Sequence, residues 1–241
     1  MASTILEYAA GDITCRGEYF MPSDASGPLP VVLVVHAWDG LNDEVRGKAS
    51  RLAQEAGYIA FAVDMHGNGK VYEDMADLMP ALTPFLEDRG MLTARITAAV
   101  EAAKSIPNAD TSRLGAMGYC FGGMTVLDLA RADAGDIRGV VSFHGGLEAN
   151  TLDNPKTLSA KVLVLHGEDD PMVPPELVAS FKQEMSSKQA DWQLHSYGHT
   201  VHAFTRPAAN DPAFGAVYNE AADRRSWQAM RNFFSELFDA T

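Results

Sequence analysis

RLGAMGYCFGGMTVLDLAR, residues 113–131, joins two patterns with no spacer between them. The first, 113–119, reads as a short strand that runs directly into Cys120. The second, 122–131, reads as a helix. A strand that turns straight into a helix is the repeating step of an α/β sheet, and the same step recurs on both sides. Upstream, LPVVLVVHAW (29–38) is apolar on both faces, as expected of a central strand covered by helices. Asn42 fits an N-cap, and the helix it opens carries Val45, Ala49, Leu52 and Ala53 before a stop near Gly57. YIAFAVDM (58–65) is a further buried strand, and 74–104 reads as a helical region interrupted near Pro80 and Pro84. Residues 12–21 suggest an early antiparallel strand. Downstream, strands are expected at 137–145, 161–167 and 191–197, with a helix at about 175–187. The span 214–238 is amphipathic helix, with Trp227, Met230, Phe233, Phe234 and Leu237 at helical spacing. The sum is an α/β fold, a mostly parallel central sheet with helices on both faces, built as one continuous domain over 1–241. In such sheets ligands bind at the carboxyl ends of the strands.

The 241-residue length suits one α/β domain. Nineteen Lys and Arg against 32 Asp and Glu leave a formal net charge of −13. That surface repels phosphate backbones and anionic lipid, so nucleic acid and membrane are not expected partners. The longest clean apolar run near the front, Val31 to Val35, is far short of the roughly 20 residues a membrane span needs. MASTILEYAAGD shows neither the basic region nor the long apolar stretch of a signal peptide. Two cysteines make no disulfide scaffold, and a cytoplasmic location follows as the expectation. The histidines are scattered without zinc-type spacing, so no metal and no cofactor is expected.

Gly118-Tyr119-Cys120-Phe121-Gly122-Gly123 has the form G-x-C-x-G-G, the G-x-S-x-G nucleophile elbow with sulfur in place of oxygen. Glycines are required because the turn is strained and its flanks leave no room for side chains. The helix behind it puts partial positive charge at Cys120, which favours thiolate. The partners of such a nucleophile follow in the order acid, then histidine. HGEDDPMVP (166–174) puts carboxylates after a buried strand. Asp170, immediately before the turn Pro171, is preferred to Asp169, which suits a cap or turn. His199 and His202 both occupy the loop expected to carry the base. The order Cys, Asp, His differs from the Cys, His, Asn of papain-like proteases.

Four blocks resemble the dienelactone hydrolase family: HAWDGLNDEVR (36–46), GYCFGG (118–123), HGEDDPMVP (166–174) and HTVHAFTRP (199–207). With the order of the remaining elements, the resemblance covers nearly the whole chain. It implies the α/β-hydrolase fold and hydrolysis of a small-molecule ester or lactone. It assigns Cys120 as nucleophile, Asp170 as acid and His202 as base, against Asp169 and His199. The oxyanion hole it implies consists of the backbone N–H groups of Trp38 and Phe121. Where the family's best-known branch has a Glu before the first of these, this chain has Ala37, so activation by His202 alone is the expectation. Arg206 matches a family arginine that holds a substrate carboxylate, with Arg89 a second candidate and His144 a pocket-lining residue. The competing functions are an esterase or thioesterase of the same fold and a non-catalytic ligand-binding fold. The sequence leaves the oligomeric state open.

Overall fold

The computed structural model describes residues 3–23 and 25–239. Its eight-stranded sheet runs in the order β1-β2-β4-β3-β5-β6-β7-β8. The strands are β1 (Ser3–Ala10), β2 (Ile13–Phe20), β3 (Leu29–Val35), β4 (Ile59–Val63), β5 (Ala109–Tyr119), β6 (Ile137–Phe143), β7 (Lys161–Gly167) and β8 (Trp192–Tyr197). β1 and β2 pair antiparallel, and β2 meets β4 antiparallel. Every pairing from β4 through β8 is parallel.

The period of two in β3 separates two apolar layers. Val31, Leu33 and Val35 face a layer that also buries Leu92, Ile96, Val126, Leu129 and Phe181. These come from α3 (Arg89–Ala103), α4 (Phe121–Arg131) and α5 (Pro175–Ser187). Val32 and Val34 face the opposite layer, with Leu52, Trp227, Met230 and Phe234. That layer belongs to α1 (Asp43–Ala56) and α6 (Glu220–Asp239). The glycines of β5 and β6 set how closely α6 approaches: a Cβ on Gly115 would lie 2.7 Å from the Phe234 ring, and one on Gly139 2.4 Å from Leu237. α1 starts where its caps predict, with Asn42 accepting from the N–H groups of Glu44 and Val45 and Gly57 closing it in a left-handed conformation.

Three expectations need correction. The 74–104 region does not break at its prolines: α2 (Met75–Glu87) contains Pro80 and Pro84, and the chain breaks at Asp88, which caps α3. Both prolines are exposed, four residues apart on the solvent side of the helix. The C-terminal helix begins at Glu220 rather than 214. The preceding residues form a small hairpin of β9 (Asn210–Asp211) and β10 (Ala216–Val217). β1 is an unanticipated strand. Its inward stripe of Leu6, Tyr8 and Ala10 is short and mostly half-buried, and the clearer signal that marks it is the two-residue turn Gly11-Asp12.

Candidate active site

The elbow owes its shape to backbone crowding. Cys120 sits at φ 52 and ψ −112, a left-handed conformation that costs a non-glycine residue about 1–3 kcal/mol. A Cβ on Gly118 would lie 2.1 Å from the Gly122 carbonyl oxygen. One on Gly122 would meet the Val35 carbonyl oxygen at 2.4 Å, and one on Gly123 the Gly145 Cα at 2.8 Å. The three glycines let α4 start against the ends of β3 and β6, and the Cys120 N–H is tied to the Phe143 carbonyl at 3.0 Å. Cys120 is half-buried at the N-terminus of α4.

His202 Nε2 lies 3.1 Å from Cys120 Sγ, and His202 Nδ1 lies 2.8 Å from Asp170 Oδ2. The other Asp170 oxygen accepts the Met172 N–H, which fixes the carboxylate plane. Asp170 and His202 are buried, whereas Asp169 and His199 are exposed. Burial alone would depress His202. The hydrogen bonds and negative charge of Asp170 and Cys120 outweigh it and raise the imidazole to about 10. The hairpin, whose second half falls inside the helix expected at 214–238, holds this residue: the His202 N–H donates to Gly215 and the His202 carbonyl accepts from Val217. Gly215, at φ 75, is needed because a Cβ there would lie 2.3 Å from Pro171. Asp211, Pro212 and Gly215 were the turn signals that could have revealed the hairpin.

The loop after β3 is held by two buried histidines. His36 Nε2 accepts the Met65 N–H, and its ring stacks on His66 at 5.1 Å. Burial, with His66 beside it, pulls His36 down to about 4, so at neutral pH it is an acceptor. His66 Nε2 donates to the Trp38 carbonyl at 2.6 Å. Among the described residues the backbone N–H groups of Trp38 and Phe121 have no intramolecular acceptor.

The relay opens into a cleft of about 920 Å³ lined by Trp38, Cys120, His144, His202 and Arg206 among others. His144 packs edge-on against His202 with ring centroids 5.0 Å apart, and its Nε2 lies 2.9 Å from the Thr205 hydroxyl. Burial, then the neighbouring His202, pushes its pKa well down, so it stays neutral. Arg206 lines the cleft but is already engaged, with Asp39 at 3.0 Å and Glu44 at 3.3 Å. Arg89 is not among the lining residues. Its guanidinium pairs at 2.6 Å with the fully buried Asp128, which also holds Arg131. A buried carboxylate needs that compensation, so Arg89 ties α3 to α4 instead of reaching substrate. Sequence reading missed Asp39, Glu44 and Phe214 as cleft residues, because their place there depends on how the segment from the β3 loop into α1 meets the β9–β10 hairpin.

The family model described as the dienelactone hydrolase family matches residues 16–238. A crystal structure of a dienelactone hydrolase-like promiscuous phosphotriesterase from metagenomic libraries is 38% identical, with a TM-score of 0.93 and 98% of each chain covered. A Salmonella typhimurium protein named as a candidate carboxymethylenebutenolidase is 29% identical over 232 residues, 90% of this chain and 81% of its own. An uncharacterized protein of Caenorhabditis elegans is 37% identical over 156 residues, 62% of this chain and 96% of its own. The chain belongs to the dienelactone hydrolase family.

Proposed function

We propose that this hydrolase cleaves an ester or lactone through a thioester on Cys120. The observation that carries the reading is the relay of sulfur, imidazole and carboxylate, at 3.1 and 2.8 Å, on a strained turn at the floor of a cleft. With its pKa near 10, His202 carries both ring protons at neutral pH. Its Nε2–H then donates to the sulfur, and its Nδ1–H to Asp170. The Cys120 proton having passed to Nε2, the sulfur attacks the carbonyl carbon, and the carbonyl oxygen takes up the electron pair. The N–H groups of Trp38 and Phe121 hold that oxyanion. Collapse expels the alkoxide, which takes the Nε2 proton, and leaves the thioester. The neutral imidazole then removes a proton from water, which attacks the thioester and frees the acid and Cys120.

Cysteine limits the substrates. A thiolate leaves readily, so the tetrahedral adduct reverts unless the alcohol leaves at least as well. Enol lactones and aryl esters meet that condition, and plain alkyl esters and amides do not. His202 performs the proton transfers without a Glu beside the oxyanion loop, since Ala37 stands there. The 38% identical relative, named a phosphotriesterase, favours a second reading in which the same sulfur attacks the phosphorus of a neutral triester.

The test is Cys120→Ala. Turnover of para-nitrophenyl acetate should fall to background with the circular dichroism spectrum unchanged, and mass spectrometry of the quenched wild-type protein should find an acetyl group on Cys120. Activity close to wild type in the variant would remove Cys120 as nucleophile. A panel of an enol lactone, an aryl ester, an acyl thioester and a phosphotriester then ranks the substrate classes.

A further inference from the structure

Family resemblance makes Arg206 a ligand for a substrate carboxylate, and its surroundings argue otherwise. Its guanidinium is held between Asp39 and Glu44, on the oxyanion loop and the first turn of α1. Asp39 is held in turn by the Asn42 side chain at 2.9 Å. Two carboxylates share that one guanidinium, and the Lys48 ammonium, which also faces Glu44, donates to the Thr205 carbonyl at 2.8 Å and does not line the cleft. Glu73 and Asp211 line the same cleft, which raises its carboxylates to four, and Arg206 is the lone guanidinium or ammonium among the described lining residues. Large apolar side chains share the mouth: Val71, Met75 and Phe214 are exposed there, and Phe214 stacks on Trp38 with ring centroids 6.0 Å apart.

We infer that the cleft selects uncharged esters with an apolar or aromatic body and rejects substrates that carry a carboxylate. The inference rests on the hydrolase reading above and names the substrate class for the same site. An incoming carboxylate would have to break the Arg206 pairs or enter a field of like charge. A neutral aryl group meets Trp38, Phe214 and Met75 and gives up little hydration. Arg206 here fixes the oxyanion loop to α1 and is a positioning residue.

The experiment compares two acetates of the same shape, para-acetoxybenzamide and para-acetoxybenzoate. Each kcat/KM is divided by the ester's rate with a free thiol in solution, which removes intrinsic reactivity. The neutral ester should win by about tenfold or more at low ionic strength. Salt should narrow the gap by speeding the anionic ester. Asp39→Asn/Glu44→Gln, which frees Arg206, should move the ratio toward the anionic ester by about tenfold, and Glu73→Gln, which leaves the Arg206 pairs intact, by a few-fold. A wild-type preference for the carboxylate ester overturns the inference, and so does a ratio that none of the variants moves. Absence of turnover with both esters sinks the hydrolase reading and this inference with it.

Discussion

The elbow and the cleft mouth lie next to each other and are built on opposite principles. At Gly118, Gly122 and Gly123 backbone meets backbone, and any added Cβ would collide with a carbonyl or a neighbouring Cα. At Val71, Met75 and Phe214 large side chains stand exposed. The first region fixes a sulfur atom to a fraction of an ångström and permits almost no substitution. The second tolerates exchange, because nothing in the core depends on it. The lesson is a division of labour: the position of the Cys120 sulfur is set by close-packed backbone, and the surface of the cleft mouth by replaceable side chains.

Variants at both regions break or sharpen that contrast. The largest effect is expected from Asp170→Asn, which keeps the side-chain shape but alters the proton at His202 Nδ1. The kcat for para-nitrophenyl acetate should fall roughly a thousandfold or more, with the circular dichroism spectrum unchanged and Tm lowered by the loss of the buried charge pair. A loss under tenfold would disconnect Asp170 from the chemistry. Gly122→Ala comes next, since its Cβ would lie 2.4 Å from the Val35 carbonyl oxygen. Displacing the sulfur by about 1 Å should cost on the order of a hundredfold in kcat, with a drop in Tm that thermal denaturation would show. Unchanged kcat and Tm would mean that the elbow yields more than its packing suggests.

A smaller effect concerns pH. His202 is raised in the folded chain to about 10 from an ordinary value near 6.5, so folding binds a proton between those limits. Its contribution to stability is complete below about 6.5 and is lost as pH rises through about 10. The Tm gap between wild type and His202→Gln should therefore shrink across that window, and a gap that widens would reverse the sign. The smallest effect belongs to the mouth. Met75→Ser should raise KM for an aryl ester a few-fold, in line with about 1 kcal/mol of lost apolar contact, with Tm unmoved. A large fall in kcat would make Met75 part of the catalytic geometry and erase the contrast.

The elbow was legible from residue types because its motif is contiguous in the chain, although only the Gly118 contact with Gly122 is local and Gly122 and Gly123 are crowded by Val35 and Gly145. Three glycines around Cys120, between a strand and a helix, mark a turn where backbone approaches backbone too closely for a Cβ. The resemblance pointed to Asp170 and His202, and the two neighbours it set aside, Asp169 and His199, are exposed. Arg89 and Arg206 were not legible in the same way. A guanidinium's role depends on which carboxylates the fold brings to it, and Asp128, Asp39 and Glu44 lie 39, 167 and 162 residues away in the chain. The prolines of α2 misled for a related reason, since a proline on an exposed helix face need not end the helix.

The chain alone determined the alternation of strands and helices and the two-faced burial of β3, because each follows from periodicity, and it marked the turn at Cys120 through a contiguous motif. Only the tertiary structure decided the His202 hairpin contact, the neutralised Arg206 and the acidic, apolar character of the cleft. These depend on distances between side chains from separate loops, and electrostatic and packing energies vary steeply with distances that no local pattern encodes.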